Sequence, residues 1–203
     1  MPNSLVTQIF TYEELEGITH GFRDQIGVGG FGPVFSGKLD NGTPVAVKMK
    51  TPDSLQGHPQ FLAEVKHLRI ACHKNLVSLL GYCNDEVNLG LVYEYMAGGN
   101  LEHRLRATGP EAPLTWLQRL KIAGDSARGL DYLHSAFKKP LIHRDVNRNI
   151  LLTKNLDAKI SDFGLARALS SESRTHINTE PAGTFGYMDP EYALNTHNIL
   201  FTC

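Results

Sequence analysis

The hydrophobic pattern of the chain changes several times, and each change marks a predicted element. Thr11 followed by Glu14 fits a capping box, which predicts a short helix ending near Gly21. From Ile26 onward the pattern is that of β-strands, with Asp40-Asn41-Gly42 lying between two apolar runs. Because Asn-Gly between such runs favours a tight turn with positive φ at both central residues, we predict a β-hairpin here.

The next segment predicts one helix followed by two strands. Phe61, Val65 and Leu68 recur at helical spacing, so their apolar face predicts a helix that continues to residue 70. Two apolar runs follow, at residues 76–82 and 89–95, and both are typical of buried strands. A hairpin, a strand, a helix and two strands therefore form the first half of the chain.

The second half is predicted to be mainly helical, and the Gly98-Gly99 pair marks a hinge before it. Asn100 can cap a short helix ending near Gly109, and Thr115 with Gln118 forms a second capping box. A long helix follows this box. Its predicted apolar stripe includes Leu120, Ala123, Ala127 and Leu130.

A glycine-rich run at residues 27–32, GVGGFG, carries the first chemical signal. Glycines let backbone N–H groups approach phosphate oxygens without interference from a Cβ atom. The same letters could open a dinucleotide-binding unit, but a helix should then follow Gly32, and the sequence predicts a strand instead. We therefore favour a hairpin that covers a nucleotide, with a glycine-rich hairpin lacking any ligand as the alternative.

Two charged residues, Lys48 and Glu64, are predicted to lie close to this hairpin. In Val45-Ala46-Val47-Lys48 the two valines lie on one strand face, and Lys48 shares the other face with Ala46. Glu64 lies on the same helix face as Phe61 and Leu68, where an unpaired carboxylate would be costly. The sequence therefore predicts an ion pair between Lys48 and Glu64 within about 4 Å, although a solvated glutamate is the alternative.

Composition excludes some partners. The net charge of −1 provides no field for nucleic acid or an anionic membrane. No apolar run approaches the roughly 18 residues of a membrane span, and the first residues lack the pattern of a signal peptide. Three cysteines without a CxxC pair argue against a disulfide framework. We expect an intracellular chain without nucleic-acid or membrane contacts of its own.

Two further motifs, His143-Arg144-Asp145 and Asp162-Phe163-Gly164, follow in order and complete a recognisable set. The chain resembles a plant receptor-like protein kinase, most closely the type with leucine-rich-repeat or malectin-like ectodomains. The resemblance covers residues 10–192. The strings that carry it are FTYEEL, VGGFGPVF, HKNLVSLLGYC, LVYEYM, GLDYLH, HRDV, ISDFGLA and GTFGYMDPEY.

This resemblance implies an α+β, protein kinase-like fold with an antiparallel-sheet N-lobe and a partial helical C-lobe. The implied boundaries are a juxtamembrane-like segment at 1–21, the N-lobe and hinge at 22–96, the partial C-lobe at 97–192 and a divergent tail at 193–203. The implied activity is ATP-dependent phosphorylation of serine and threonine hydroxyls on protein substrates, with ATP and Mg²⁺ as cofactors. The implied location is the cytoplasm, at the cytoplasmic face of the plasma membrane within a full-length receptor.

Site residues follow from the resemblance, residue by residue. Lys48 would bind the α/β-phosphates while paired to Glu64, Tyr93 would be the gatekeeper, and Asp145 would deprotonate the substrate hydroxyl. Asn149 and Asp162 would hold the metal. The implied nucleotide-binding set is Gly27, Val28, Gly29, Gly32, Val34, Ala46, Lys48, Tyr93, Glu94 and Met96.

The stretch from Asp162 to Glu191 would be the activation segment, and Arg144 beside Asp145 implies activation by phosphorylation. An arginine at this position can pair with a phosphate on the segment. The predicted phosphorylation sites, for which an ordinary polar loop is the alternative, are Ser170, Ser171, Ser173, Thr175 and Thr179.

The catalytic loop departs from the family pattern. Family members carry a lysine two residues after the catalytic aspartate and the metal-binding asparagine five residues after it, whereas this chain has Asn147 and an asparagine one residue early, Asn149. The resemblance also predicts further C-lobe helices beyond Tyr192, whose absence would leave an apolar face exposed. A pseudokinase, or a truncated module that binds nucleotide or partners, is therefore the alternative function. A dinucleotide oxidoreductase is disfavoured by the hairpin.

Overall fold

The computed structural model describes residues 7–29, 32–50, 57–85, 87–106, 113–169, 181–184 and 186–190. These residues form strands and helices in the order β1 (Gln8–Ile9), α1 (Tyr12–Ile18), β2 (Gln25–Gly29), β3 (Gly32–Lys38), β4 (Pro44–Met49), α2 (Gly57–Leu68), β5 (Leu79–Asn84), β6 (Leu89–Glu94), β7 (Gly99–Asn100), α3 (Leu101–Arg106), α4 (Trp116–Ser135), β8 (Leu141–Ile142), β9 (Ile150–Leu152), β10 (Ala158–Ile160) and β11 (Arg167–Ala168). Two compact units result. Unit 1 contains the described residues up to Ala97 together with Asp162–Gly164, and unit 2 contains the others.

Unit 1 is built on a six-stranded sheet with the strand order β1-β5-β6-β4-β3-β2. The strands from β2 to β6 pair with their neighbours antiparallel, but β1 pairs parallel with β5 through Gln8 opposite Gly81. The predicted antiparallel sheet is present in β2 to β6, and β1 adds one parallel pair at its edge that the sequence did not predict. A strand of two residues is too short to show alternation, so the sequence pattern gave no signal for β1.

The turn between β3 and β4 is present, but its geometry differs from the prediction. Gly42 has a φ of 84°, whereas Asn41 is not among the residues with positive φ. Asn41 instead accepts a hydrogen bond at its Oδ1 atom from the Thr43 amide, at 2.9 Å. With five residues between paired Lys38 and Pro44, one left-handed glycine is enough to close the hairpin.

The segment before β2 is part of the core of unit 1. Phe10, Leu15 and Ile18 are buried in one cluster with Val45 and Val47 from β4. The predicted capping box at Thr11 is confirmed, since Thr11 and Glu14 exchange side-chain and backbone hydrogen bonds. The first helix thereby covers the face of β4 opposite Lys48.

Three sheet glycines make room for this segment. A Cβ atom on Gly81 would lie 2.2 Å from the Phe10 ring, and one on Gly90 would lie 2.5 Å from the Leu15 side chain. At Gly37 the added atom would lie 2.7 Å from the Ile18 side chain. The absent side chains therefore form the space that the segment's apolar side chains occupy.

In unit 2, α4 begins at the predicted capping box, with Thr115 as its cap. The predicted apolar stripe was wrong, however. Leu120 is 50% exposed, and the helix instead buries Ile122, Asp125, Ser126, Gly129 and Leu133. The burial of Asp125 is possible because Lys121, Arg128 and the Ala158 amide all donate to its carboxylate.

The buried face of α4 packs against a small antiparallel sheet with the order β10-β9-β7. Ile122 of α4, Leu152 of β9 and Ala158 of β10 share one core cluster with Leu114. The same helix presents Trp116 and Leu117 to solvent, at 71% and 76% exposure. None of the described helices has the length and the hydropathy needed to cross a bilayer.

Candidate active site

Lys48 lies directly beneath the glycine hairpin of unit 1. Gly29 and Gly32 face each other where β2 meets β3, and Val34 pairs with Lys48 across to β4. A Cβ atom on Gly29 would approach the Lys48 Cε atom to 2.8 Å. Glycine at position 29 therefore leaves the space through which the lysine side chain passes.

The Lys48 ammonium contacts two carboxylates. Its Nζ atom lies 3.4 Å from Glu64 Oε2 and 3.0 Å from Asp162 Oδ2, and both Lys48 and Glu64 are buried. The predicted ion pair is therefore confirmed. The other Glu64 oxygen, Oε1, accepts the Phe163 amide hydrogen at 3.2 Å. Glu64 of α2 thus holds the lysine and the backbone after Asp162 together.

Burial determines the electrostatics of this cluster. Glu64 is fully buried among Phe61, Val65 and Leu68 of the same helix, as its predicted helix face requires. Burial raises the pKa of the Glu64 carboxyl, and the neighbouring Lys48 charge opposes that rise. The lysine is therefore the principal group that keeps this carboxylate ionised.

The sheet face that carries Lys48 also carries other predicted nucleotide-binding residues. Ala46 lies two residues before Lys48 and pairs with Tyr93, so Val34, Ala46 and Tyr93 share this face. Tyr93 and Met96 are each 8% exposed, and the Glu94 side chain accepts the Ser78 amide hydrogen at 2.8 Å. Gly27 and Val28 lie on β2, where the Val28 side chain is exposed.

Tyr93 places a buried hydroxyl on this face. Within the described part of the chain, no group meets hydrogen-bond geometry at its Oη atom, and the Glu64 carboxylate is the polar group that acts on it. Burial and the nearby Glu64 carboxylate raise the pKa of Tyr93 well above its usual value. The hydroxyl therefore remains protonated and can donate a hydrogen bond.

In unit 2, Asp145 is held by a residue to which the sequence analysis gave no role. The Thr184 hydroxyl lies 2.8 Å and 2.9 Å from the two Asp145 carboxylate oxygens, and the Thr184 amide donates to Oδ1 at 3.1 Å. Thr184 belongs to the GTFGYMDPEY string that supports the resemblance. Its spacing from Asp145 carries no periodic signal, so only the fold shows the contact.

The shortened catalytic loop still brings Asn149 against Asp145. Asn149 Nδ2 donates to the Asp145 carbonyl at 2.7 Å and to Asp145 Oδ2 at 3.3 Å. The Asn149 carbonyl accepts the Ser161 amide hydrogen at 2.8 Å, and the His143 ring contacts the Ser161 carbonyl at 2.9 Å. His143, 1% exposed, therefore has a structural position.

Two non-glycine residues of the motifs have left-handed backbones, namely Arg144 with a φ of 71° and Asp162 with a φ of 62°. Such conformations cost roughly 1–3 kcal/mol and concentrate at functional sites. The Arg144 Nε atom donates to the Leu165 carbonyl at 2.6 Å. The predicted phosphorylation sites, from Ser170 to Thr179, lie outside the described residues.

The residues of unit 1 fit a nucleotide. The described hairpin residue Gly29 lies beside the buried Lys48 ammonium, and the gap left by this glycine would be filled by any Cβ atom. Asp162 of unit 1 supplies a carboxylate, a ligand that Mg²⁺ prefers, commonly together with substrate phosphates. Asn149, the other predicted metal ligand, belongs to unit 2. Within the described part of the chain, no group of three or more His, Cys, Asp or Glu side chains could hold a metal.

Comparison with known proteins identifies the family. The family model described as protein tyrosine and serine/threonine kinase matches residues 21–202. A probable LRR receptor-like serine/threonine-protein kinase of Arabidopsis thaliana is 47% identical over 197 residues, which cover 95% of this chain. A receptor-like protein kinase of the same plant is 49% identical over 90% of the chain.

These relatives are longer than this chain. The chain spans 22% and 20% of the two receptor-like relatives. It spans 50% of a third relative, a probable serine/threonine-protein kinase of Arabidopsis thaliana that is 46% identical over 92% of the chain.

Proposed function

The chain belongs to the protein tyrosine and serine/threonine kinase family, and on that premise we propose that it carries the catalytic groups of a receptor-like serine/threonine kinase. In this proposal it transfers the γ-phosphate of ATP to serine and threonine hydroxyls of protein substrates. Its place is the cytoplasmic side of a receptor, and Mg²⁺ is its metal. The observation that carries the proposal is the buried contact of Lys48 with Glu64 and Asp162 beneath the glycine hairpin.

The nucleotide half of the chemistry belongs to unit 1. Lys48 and the hairpin amides would bind the phosphates, the sheet face with Val34 and Ala46 would contact the base, and the Glu94 and Met96 backbones would hydrogen-bond the adenine. Asp162 would hold Mg²⁺, which neutralises phosphate charge when it is bound. Asn149, in unit 2, is the other metal ligand that the family resemblance implies. Glu64 positions Lys48 and does not need to touch the substrate.

The transfer half belongs to the catalytic loop. The substrate hydroxyl oxygen forms a bond to the γ-phosphorus, the bond from that phosphorus to the β,γ-bridging oxygen breaks, and ADP leaves. Asp145 accepts the hydroxyl proton at a carboxylate oxygen. The Thr184 contact orients this carboxylate.

The test has two parts, nucleotide binding and phosphate transfer. Mg·ATP should raise the melting temperature of the parent chain, and Lys48→Ala should reduce this shift because the phosphates lose their ammonium partner. Radiolabelled ATP should transfer phosphate to the chain itself, and Asp162→Asn should abolish that transfer. Equal thermal shifts in parent and Lys48→Ala would contradict nucleotide binding at this site.

A second candidate function is a pseudokinase that binds nucleotide without transferring phosphate. Asn147, in the place of the family's lysine, favours it, because a positive charge beside the transferring phosphate is missing. Arg148 is engaged by Glu102 at 3.0 Å in this structure and so does not supply that charge. Thermal shifts with Mg·ATP but no radiolabel transfer would favour this candidate.

A further inference from the structure

Arg148 directly precedes Asn149, in the part of the catalytic loop that departs from the family pattern. Its Nε atom donates to Glu102 Oε2 at 3.0 Å, and its carbonyl accepts from Asn100 Nδ2 at 2.6 Å. Asn100 in turn accepts the Glu102 amide hydrogen at 2.8 Å. The start of α3 therefore holds Arg148 through both its side chain and its main chain.

The second Glu102 oxygen contacts the activation segment. Tyr187 Oη donates to Glu102 Oε1 at 3.1 Å, and Arg106 Nη2 lies 3.0 Å from the same oxygen. Arg106 also donates to Tyr187 Oη at 3.4 Å. With a side-chain exposure of 20%, Glu102 is the least exposed charged group of this network.

These contacts close a ring within unit 2. Asn149 and Thr184 bind Asp145 on one side, and Arg148 and Tyr187 bind Glu102 on the other. Arg148 and Asn149 are neighbours, and Thr184 and Tyr187 lie three residues apart in the chain. The catalytic loop and the activation segment are therefore connected twice, once through Asp145 and once through Glu102.

We propose that Glu102 is a positioning residue of this kinase. It holds Arg148, and through Arg148 it keeps Asn149 against Asp145. Through its direct contact with Tyr187 it also holds the segment that carries Thr184. The catalytic meaning of this inference rests on the proposed function, but the clamp itself does not. Glu102 compensates for the shortened loop, because it anchors the residue that precedes the early asparagine.

The clamp is tested by hydrogen–deuterium exchange on the free chain. Glu102→Gln and Arg148→Gln should each speed exchange in peptides covering 143–150 and 181–190 about two- to fivefold, the span expected for opening a partly exposed charged network. Peptides from unit 1 should not change. A melting curve for each variant shows that global stability is retained.

Arg128→Gln is the matched control. Arg128 is 53% exposed and paired with Asp125 in the same unit, while Arg148 is 54% exposed. The double variant Glu102→Gln/Arg148→Gln should exchange no faster than either single variant, because both changes break one contact. Arg148→Lys should recover part of the protection, since a lysine retains the charge.

Unchanged exchange in both single variants, or an equal increase in Arg128→Gln, would overturn the clamp. An activity measurement separates the two proposals. If the parent transfers phosphate, Glu102→Gln should lower kcat about two- to fivefold and change the Mg·ATP thermal shift far less than Lys48→Ala does. If the parent transfers none, the proposed function fails, while the exchange pattern still decides whether the clamp exists.

Discussion

The predicted site residues of unit 1 and those of unit 2 are held by different means. In unit 1, Lys48 and Glu64 are 6% and 0% exposed, and sheet register together with helix burial fixes both. In unit 2, Asp145 and Asn149 lie on a partly exposed irregular loop. Hydrogen bonds from distant side chains, above all Thr184, hold this loop.

This difference shows where the chain tolerates change. A buried carboxylate must keep its partner, because losing one member of a buried pair costs about 3–5 kcal/mol. A loop held by partly exposed contacts loses far less free energy of stabilisation when one contact is removed by substitution. The departure from the family pattern at Asn147 lies in the second kind of structure, and the Lys48 cluster follows the family throughout.

The variant Asp145→Asn gives the sharpest test of the difference between the site residues of the two units. We expect phosphate transfer to fall about 10²–10⁴-fold, the usual contribution of a positioned general base. The Mg·ATP thermal shift should stay unchanged, because the nucleotide groups of unit 1 are untouched. The Thr184 hydroxyl can still donate to the asparagine carbonyl, so the loop should keep its fold.

Lys48→Ala provides the reciprocal variant, in which transfer should be lost and the Mg·ATP thermal shift should be reduced. Radiolabel transfer and differential scanning fluorimetry on the same preparations give the two readouts. If Asp145→Asn also removes the thermal shift, the two halves are not energetically separate, and the comparison fails.

The next largest effect concerns stability. Leu15 is 0% exposed in the core of unit 1, so Leu15→Ala should lower the free energy of unfolding by about 2–5 kcal/mol. Leu120→Ala is the control, because Leu120 is half exposed on α4 and should change stability by less than about 0.5 kcal/mol. Urea unfolding measures both. Equal losses would mean that the first helix does not belong to the core.

Repair of the catalytic loop tests the weaker half. Asn147→Lys, combined with one residue inserted before Asn149, restores the family's spacing. It should raise phosphate transfer by up to about 10²–10³-fold, the effect of one preorganised donor. Asn147→Lys alone should give a smaller increase, because the asparagine remains one residue early. A parent chain as fast as the repaired one would show that the departure is harmless.

The side chains on regular strands and helices could be predicted from the sequence, whereas those on the irregular loops could not. Val45 and Val47 lie in the core and Lys48 faces the other way, as strand alternation predicts, and Glu64 is buried, as its helix face predicts. Regular elements impose a period on their side chains, and the sequence displays that period. The ion pair could therefore be predicted from two positions.

Prediction failed where burial does not follow hydropathy. On α4 the buried face contains Asp125, Ser126 and Gly129, whereas Leu120 is exposed, because hydrogen bonds and close packing compensate the polar and small residues. The Thr184 and Tyr187 contacts join loops that are distant in sequence. No local pattern encodes such contacts, so only the structure shows them.

The smallest expected effect involves His67, which lies on α2 one turn after Glu64. His67 is 8% exposed, and its Nδ1 atom has no hydrogen-bond partner among the residues that the structure describes. Burial lowers the pKa of His67, and the nearby Lys66 charge lowers it further.

The sign of the pH dependence follows from this lowering. As pH falls below the ordinary histidine value of about 6.5, the unfolded chain takes up the proton first, so unfolding becomes easier. Stability is present above that pH and is lost as pH falls toward the lowered pKa. His67→Leu should remove this loss, whereas His58→Leu, an exposed position on the same helix, should not. Urea unfolding between pH 7.5 and 5.5 measures the difference, and identical slopes in all three proteins would mean that His67 does not resist protonation. In that case the burial of His67 would make no contribution to the pH dependence of stability, and Glu64 with its Lys48 partner would be the buried charged group of α2.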